Sequence, residues 1–202
     1  MSSPKFRGSF EVAESMHEIV WRTAGSYIEA AVKKNDGKHT NMELVVMYCW
    51  VTATVAVLFT RFGVIDEDQN VAYLESEEGF LFDLLSANSS RSSNPKSFEE
   101  FSGEFWDLMG RLFEKVDLIL EKFAENRENF DSNAECVKAF FDESYEDFVL
   151  PENSQMGQSL VSLFILILIP ETINASMKEI DKHPESSLAK NGSSHRGAST
   201  VC

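Results

Sequence analysis

Leu44-Val-Val-Met-Tyr-Cys-Trp-Val-Thr-Ala-Thr-Val-Ala-Val-Leu-Phe-Thr60 carries no charged residue, in a chain that is otherwise a quarter charged. Just ahead of it, Thr40-Asn-Met-Glu43 has the form of a capping box, in which hydroxyl and carboxylate satisfy the unpaired N–H groups of a first helical turn. Arg61-Phe-Gly63 closes it. The β-branched residues between Val51 and Val57 would suit a strand, but strands run to about 5–6 residues and this stretch is several times longer. It therefore reads as a helix that is apolar all round. Such a helix belongs in a core or in a bilayer.

A bilayer span takes about 20 mainly apolar residues, flanked by Lys/Arg that set topology. The window offers 17 uncharged residues, three of them threonines, and no basic cluster beside it. A second charge-free stretch, 153–170, starts on Asn153-Ser-Gln-Met-Gly-Gln-Ser159, and only Leu160 to Ile169 is strongly apolar. That is too short to span. The inequality favours a bundle in which two hydrophobic helices, about 41–62 and 155–169, are wrapped by amphipathic ones.

The wrapping helices are legible from their spacing. From Ser9, residues Ala13, Met16, Val20, Ala24, Tyr27, Ile28 and Ala31 recur every three or four positions until Asn35-Asp-Gly37. Ser97-Phe-Glu-Glu100 is a second capping box. It opens a row of Phe98, Phe101, Phe105, Leu108, Leu112, Val116, Ile119 and Phe123, the cleanest amphipathic pattern in the chain. Ser132-Asn-Ala-Glu135 opens a further helix that Pro151 stops, and Pro170 should kink or end the helix before it. A weaker pattern resumes at Ile173, Met177 and Ile180. Residues 64–74 read as a turn or short hairpin and 77–86 as a short helix. The Ser-rich stretch 86–96 reads as a loop, while 1–8 and 182–202 read as flexible termini. The expected fold is a single-domain, all-α helical bundle of about five main helices over 9–181.

Sixteen Phe, ten Gly and five Pro in 202 residues favour helices over a turn-rich β architecture. The three cysteines, Cys49, Cys136 and Cys202, form no CxxC pair and fit a reducing, intracellular setting, most simply the cytoplasm. The net charge of −15 is localised: residues 63–152 hold 23 acidic and 7 basic groups, whereas the flanking regions are nearly balanced. Such a field repels phosphate backbones and argues against nucleic-acid binding, and it would attract a basic protein partner.

One segment carries oxygen ligands at metal spacing. Asp66, Asp68, Asn70 and Glu77 occupy positions 1, 3, 5 and 12 of a loop and to that extent resemble a single EF-hand, which implies calcium. Val71 stands where that loop needs glycine, and no partner loop sits at the usual spacing. Glu14 and His17 lie one turn apart, as in di-iron helical proteins, but lack the matching second pair. Catalytic signatures are missing from the sequence: there is no Gly-x-Ser-x-Gly, no phosphate-cradling Gly-rich loop after a strand, and no Cys with an evident His partner. The sequence thus leans towards a non-enzymatic protein acting by protein–protein interaction through the acidic 63–152 region. The alternatives are a membrane-associated helical protein using Leu44 to Thr60, and a degenerate EF-hand-like calcium-responsive module.

Overall fold

The computed structural model describes residues 4–34, 41–86, 97–126 and 168–183, and these are arranged as five helices with no strand among them. Helix α1 (4–34) runs from Pro4–Val20 through a widened π-helical turn, Trp21–Gly25, into Ser26–Lys34. Val20 and Ser26 on either side of that turn keep right-handed helical angles, so the rod is continuous. It begins at Pro4 rather than at Ser9, and proline suits a first turn because its missing N–H has no partner to lose there. The remaining helices are α2 (Asn41–Arg61), α3 (Glu67–Ser86), α4 (Phe98–Asn126) and α5 (Ile169–Ile180).

The uncharged window forms α2, and every other helix packs against it. From Val46 to Phe59 its side chains are buried on all sides. Valine and threonine each cost a helix about 0.5 kcal/mol relative to alanine, whereas burying one large apolar side chain contributes roughly 1.5–3 kcal/mol. Packing therefore overrides the β-branched preference. The Leu44–Arg61 window is long and apolar enough to cross a membrane, and 78% of it is buried inside the bundle, as expected of a core helix. The second hydrophobic helix expected from the sequence lies outside the described residues, as do the capping-box side chains of 40–43 and all of 132–135. Pro170 is found in the first turn of α5, which packs Ile169, Ile173 and Ile180 towards α2 and α1.

The connections have clear local causes. Gly63 adopts φ 68° and ends α2 in a Schellman motif: Val64 N–H donates to Phe59 C=O (2.9 Å) and Gly63 N–H to Thr60 C=O (2.9 Å). Asp66 then caps α3 reciprocally with Gln69, each backbone N–H donating to the other's side-chain oxygen at 2.9 Å. Ser97 and Glu100 form the capping box that the sequence predicts, at 3.1 and 3.2 Å. In α4 the expected stripe is buried from Phe101 to Val116, while Phe98 at its head is exposed.

Helix α3 departs from the sequence reading, which gave a turn or hairpin followed by a short helix. Its buried stripe is Tyr73, Leu74, Glu77, Glu78 and Leu81, a helical spacing hidden because two of the five positions are carboxylates.

Candidate functional site

The four residues read as a calcium loop stand on or against helix α3. Asp66 is its cap, Asp68 and Asn70 lie in its first turns, and Glu77 is turned into the core with 1% exposure. The segment is therefore helical and does not have the loop conformation of an EF-hand. Among the described residues no three His, Cys, Asp or Glu side chains come close enough together to hold a metal ion.

Glu77 instead joins three helices. Its Oε2 accepts the Tyr48 hydroxyl of α2, and its Oε1 accepts from His17 Nδ1 of α1 at 2.8 Å. The hydrogen bond to Glu77 raises the His17 pKa above its usual 6.5; partial burial opposes this and the carboxylate's charge adds to it. Tyr48 is held well above the ordinary phenol range by burial first and by the Glu77 charge second. Tyr73, one turn before Glu77, is raised for the same reasons. The neighbouring Glu78 is also buried; its Oε2 accepts Trp106 Nε1–H of α4 at 3.1 Å, and its Oε1 has no partner among the described residues. Burial also pushes the Cys49 thiol pKa up, which keeps it protonated.

Beside this network, α1 and α3 border an open, shallow cleft of about 370 Å³ lined by Glu14, His17, Glu18, Trp21 and Phe80. Phe80 meets the His17 ring edge-on at 4.8 Å and the Trp21 ring at 5.6 Å and 88°, and stacks with Tyr48 at 6.3 Å. Trp21 in turn rests on Gly25, where an added Cβ would come within 2.4 Å of the indole Cε3. The structure thus brings Glu14 and His17 to one cleft, as their spacing suggests, but pairs His17 with Glu77. An imidazole oriented by a buried carboxylate is half of a nucleophile-activating arrangement. Among the described residues, the cleft lining holds no Ser, Thr or Cys.

The second opening lies on the acidic side. The end of α2, the start of α3 and the middle of α4 border a groove of about 520 Å³ lined by Val57, Thr60, Arg61, Asn70, Phe113, Glu114 and Asp117. Arg61 reaches Asp117 at 3.5 Å in a long, exposed contact of little energetic weight. Thr60 Oγ1 and Asn70 Oδ1 have no hydrogen-bond partner among the described residues. Elsewhere along α3 and α4 further carboxylates are exposed, among them Glu67, Asp68, Glu75, Glu104, Asp107 and Glu121. The sequence had located this charge but not the groove, which depends on how three helices meet. The His17–Glu77 pair, separated by 60 residues, left no local signal at all.

Compared with protein-family models, with curated proteins and with solved structures, the chain matches none.

Proposed function

We propose that this protein is non-enzymatic and acts by binding another protein, whose basic segment lies along the acidic face of α3 and α4 with the α2–α3–α4 groove at its centre. The observation that carries this reading is the groove's construction. Half-buried Phe113 offers apolar surface to a side-chain stem, and Glu114 and Asp117 supply the charge that would hold a cationic head. The exposed carboxylates along α3 and α4 favour approach of a positively charged partner and disfavour nucleic acid. An intracellular location is part of the proposal, supported by the unpaired Cys49 thiol in the core.

Fluorescence anisotropy with a labelled Arg/Lys-rich peptide tests it, with a Glu-rich peptide of equal length as control. The basic peptide should bind, weaken steeply with added salt, and lose about tenfold in affinity to the double reversal Glu114→Lys/Asp117→Lys. Equal binding of both peptides, or no effect of the reversal, would overturn the proposal.

A further inference from the structure

We infer that the cleft between α1 and α3 is a binding site for an organic ammonium cation, its alkylated head seated against Trp21 and Phe80 and countered by Glu14 and Glu18. This does not rest on the basic-partner reading, since the cleft and the acidic groove share no lining residue. Trp21 and Phe80 pack edge-to-face, at 88° with centroids 5.6 Å apart, and the cleft is otherwise lined by two acids, Glu14 and Glu18, and by His17. Aromatic rings attract cations through their quadrupole, most strongly when the ring is tryptophan, and quaternary ammonium groups are the usual beneficiaries. An anion would face two carboxylates.

A hard metal ion fits poorly. Calcium requires six to eight oxygen ligands, and no three metal-ligating side chains converge among the described residues. The cleft's volume of about 370 Å³ suits a small organic group. The walls are also fixed before any ligand arrives. Trp21 rests on Gly25, His17 is held by Glu77, and Phe80 is wedged among His17, Trp21 and Tyr48. Such preorganisation lowers the ordering cost of binding. Arg22 lies 3.6 Å from Glu18, but both are largely exposed, which leaves a loose pair that a better-placed cation can displace.

The test uses choline, its neutral isostere 3,3-dimethylbutan-1-ol, and a short peptide containing Nε-trimethyllysine, followed by ligand-observed NMR and calorimetry on the full chain. Choline or the peptide should bind saturably, and the neutral isostere at least about tenfold more weakly than choline. Trp21→Leu and the exposed pair Glu14→Gln/Glu18→Gln should each weaken cation binding about 3- to 30-fold, with helicity unchanged by circular dichroism. If the peptide binds far better than choline, the cation is a partner's side chain; if choline binds as well, it is a free small molecule. Both results support the site. Isostere binding equal to choline, undiminished binding by the folded Glu14→Gln/Glu18→Gln variant, or no saturable binding of either cation would overturn it.

Discussion

Tyr48→Phe removes one oxygen atom from the centre of the bundle and leaves the ring in place. Tyr48 is fully buried and Glu77 is 1% exposed, so water cannot reach Glu77 Oε2 to replace the lost donor. The apolar area is essentially unchanged, and the cost is therefore the polar term alone. A hydrogen bond to a charged group contributes about 1.5–3 kcal/mol, so a loss of about 2 kcal/mol is expected. With an m-value of about 2 kcal/mol/M, the urea midpoint should fall by about 1 M at unchanged slope. Adding Glu77→Leu to Tyr48→Phe removes the stranded acceptor, and the double variant should recover part of the loss. A Tyr48→Phe midpoint within about 0.2 M of the parent, which at that slope is a change below about 0.5 kcal/mol, would refute the reasoning that this hydroxyl satisfies a buried carboxylate.

The other expectations concern the same core and its turns. Because His17 has a folded pKa raised above 6.5, its pairing with Glu77 stabilises the fold below that value and the gain is lost as pH rises through the folded pKa. His17→Gln should therefore trail the parent in thermal unfolding at mildly acidic pH and approach it in alkali. The gap should stay below about 1 kcal/mol, since His17 is 38% exposed and water screens the pair. Tyr48 and Tyr73 should resist ionisation until the chain unfolds, so part of the phenolate absorbance should appear in step with the loss of helicity at high pH. Gly103→Ala and Gly110→Ala meet no neighbouring atom and should each stabilise by about 0.5–1 kcal/mol. Gly25→Ala should instead destabilise or displace Trp21, read by unfolding and tryptophan fluorescence. Cys49 should escape thiol labelling in the native state and react in urea, as mass spectrometry of its peptide would show.

The helices whose buried stripe is apolar were legible from the sequence. Met16, Val20, Ala24 and Ile28 on α1, and Phe101 to Val116 on α4, face inward as their spacing requires. Helix α3 was not legible as one helix, because two carboxylates, Glu77 and Glu78, occupy positions of its buried stripe. Their burial depends on Tyr48 and Trp106, donors that lie 29 and 28 residues away and that no local pattern connects to them. Glu77 was read from the sequence as one of four candidate calcium-loop residues; in the fold it accepts hydrogen bonds from Tyr48 and His17 on two neighbouring helices.

The widened turn at Trp21–Gly25 has a consequence for how this chain can vary. Met16, Val20, Ala24 and Ile28 repeat every four residues, and in a regular helix each such step overshoots a full turn by about 40°. The looser π turn absorbs part of that drift and keeps all four against the core. The π turn thus accommodates one extra residue, so deleting one residue there would restore a regular helix and leave Met16, Val20, Ala24 and Ile28 at i, i+4, i+8 and i+11, still on one face. Inserting a further residue between Val20 and Ser26 should instead swing Ile28 and everything after it by about 100° around the axis. Homologues of this chain can be expected to lack the widened turn, with one residue fewer, more readily than to carry an additional residue there.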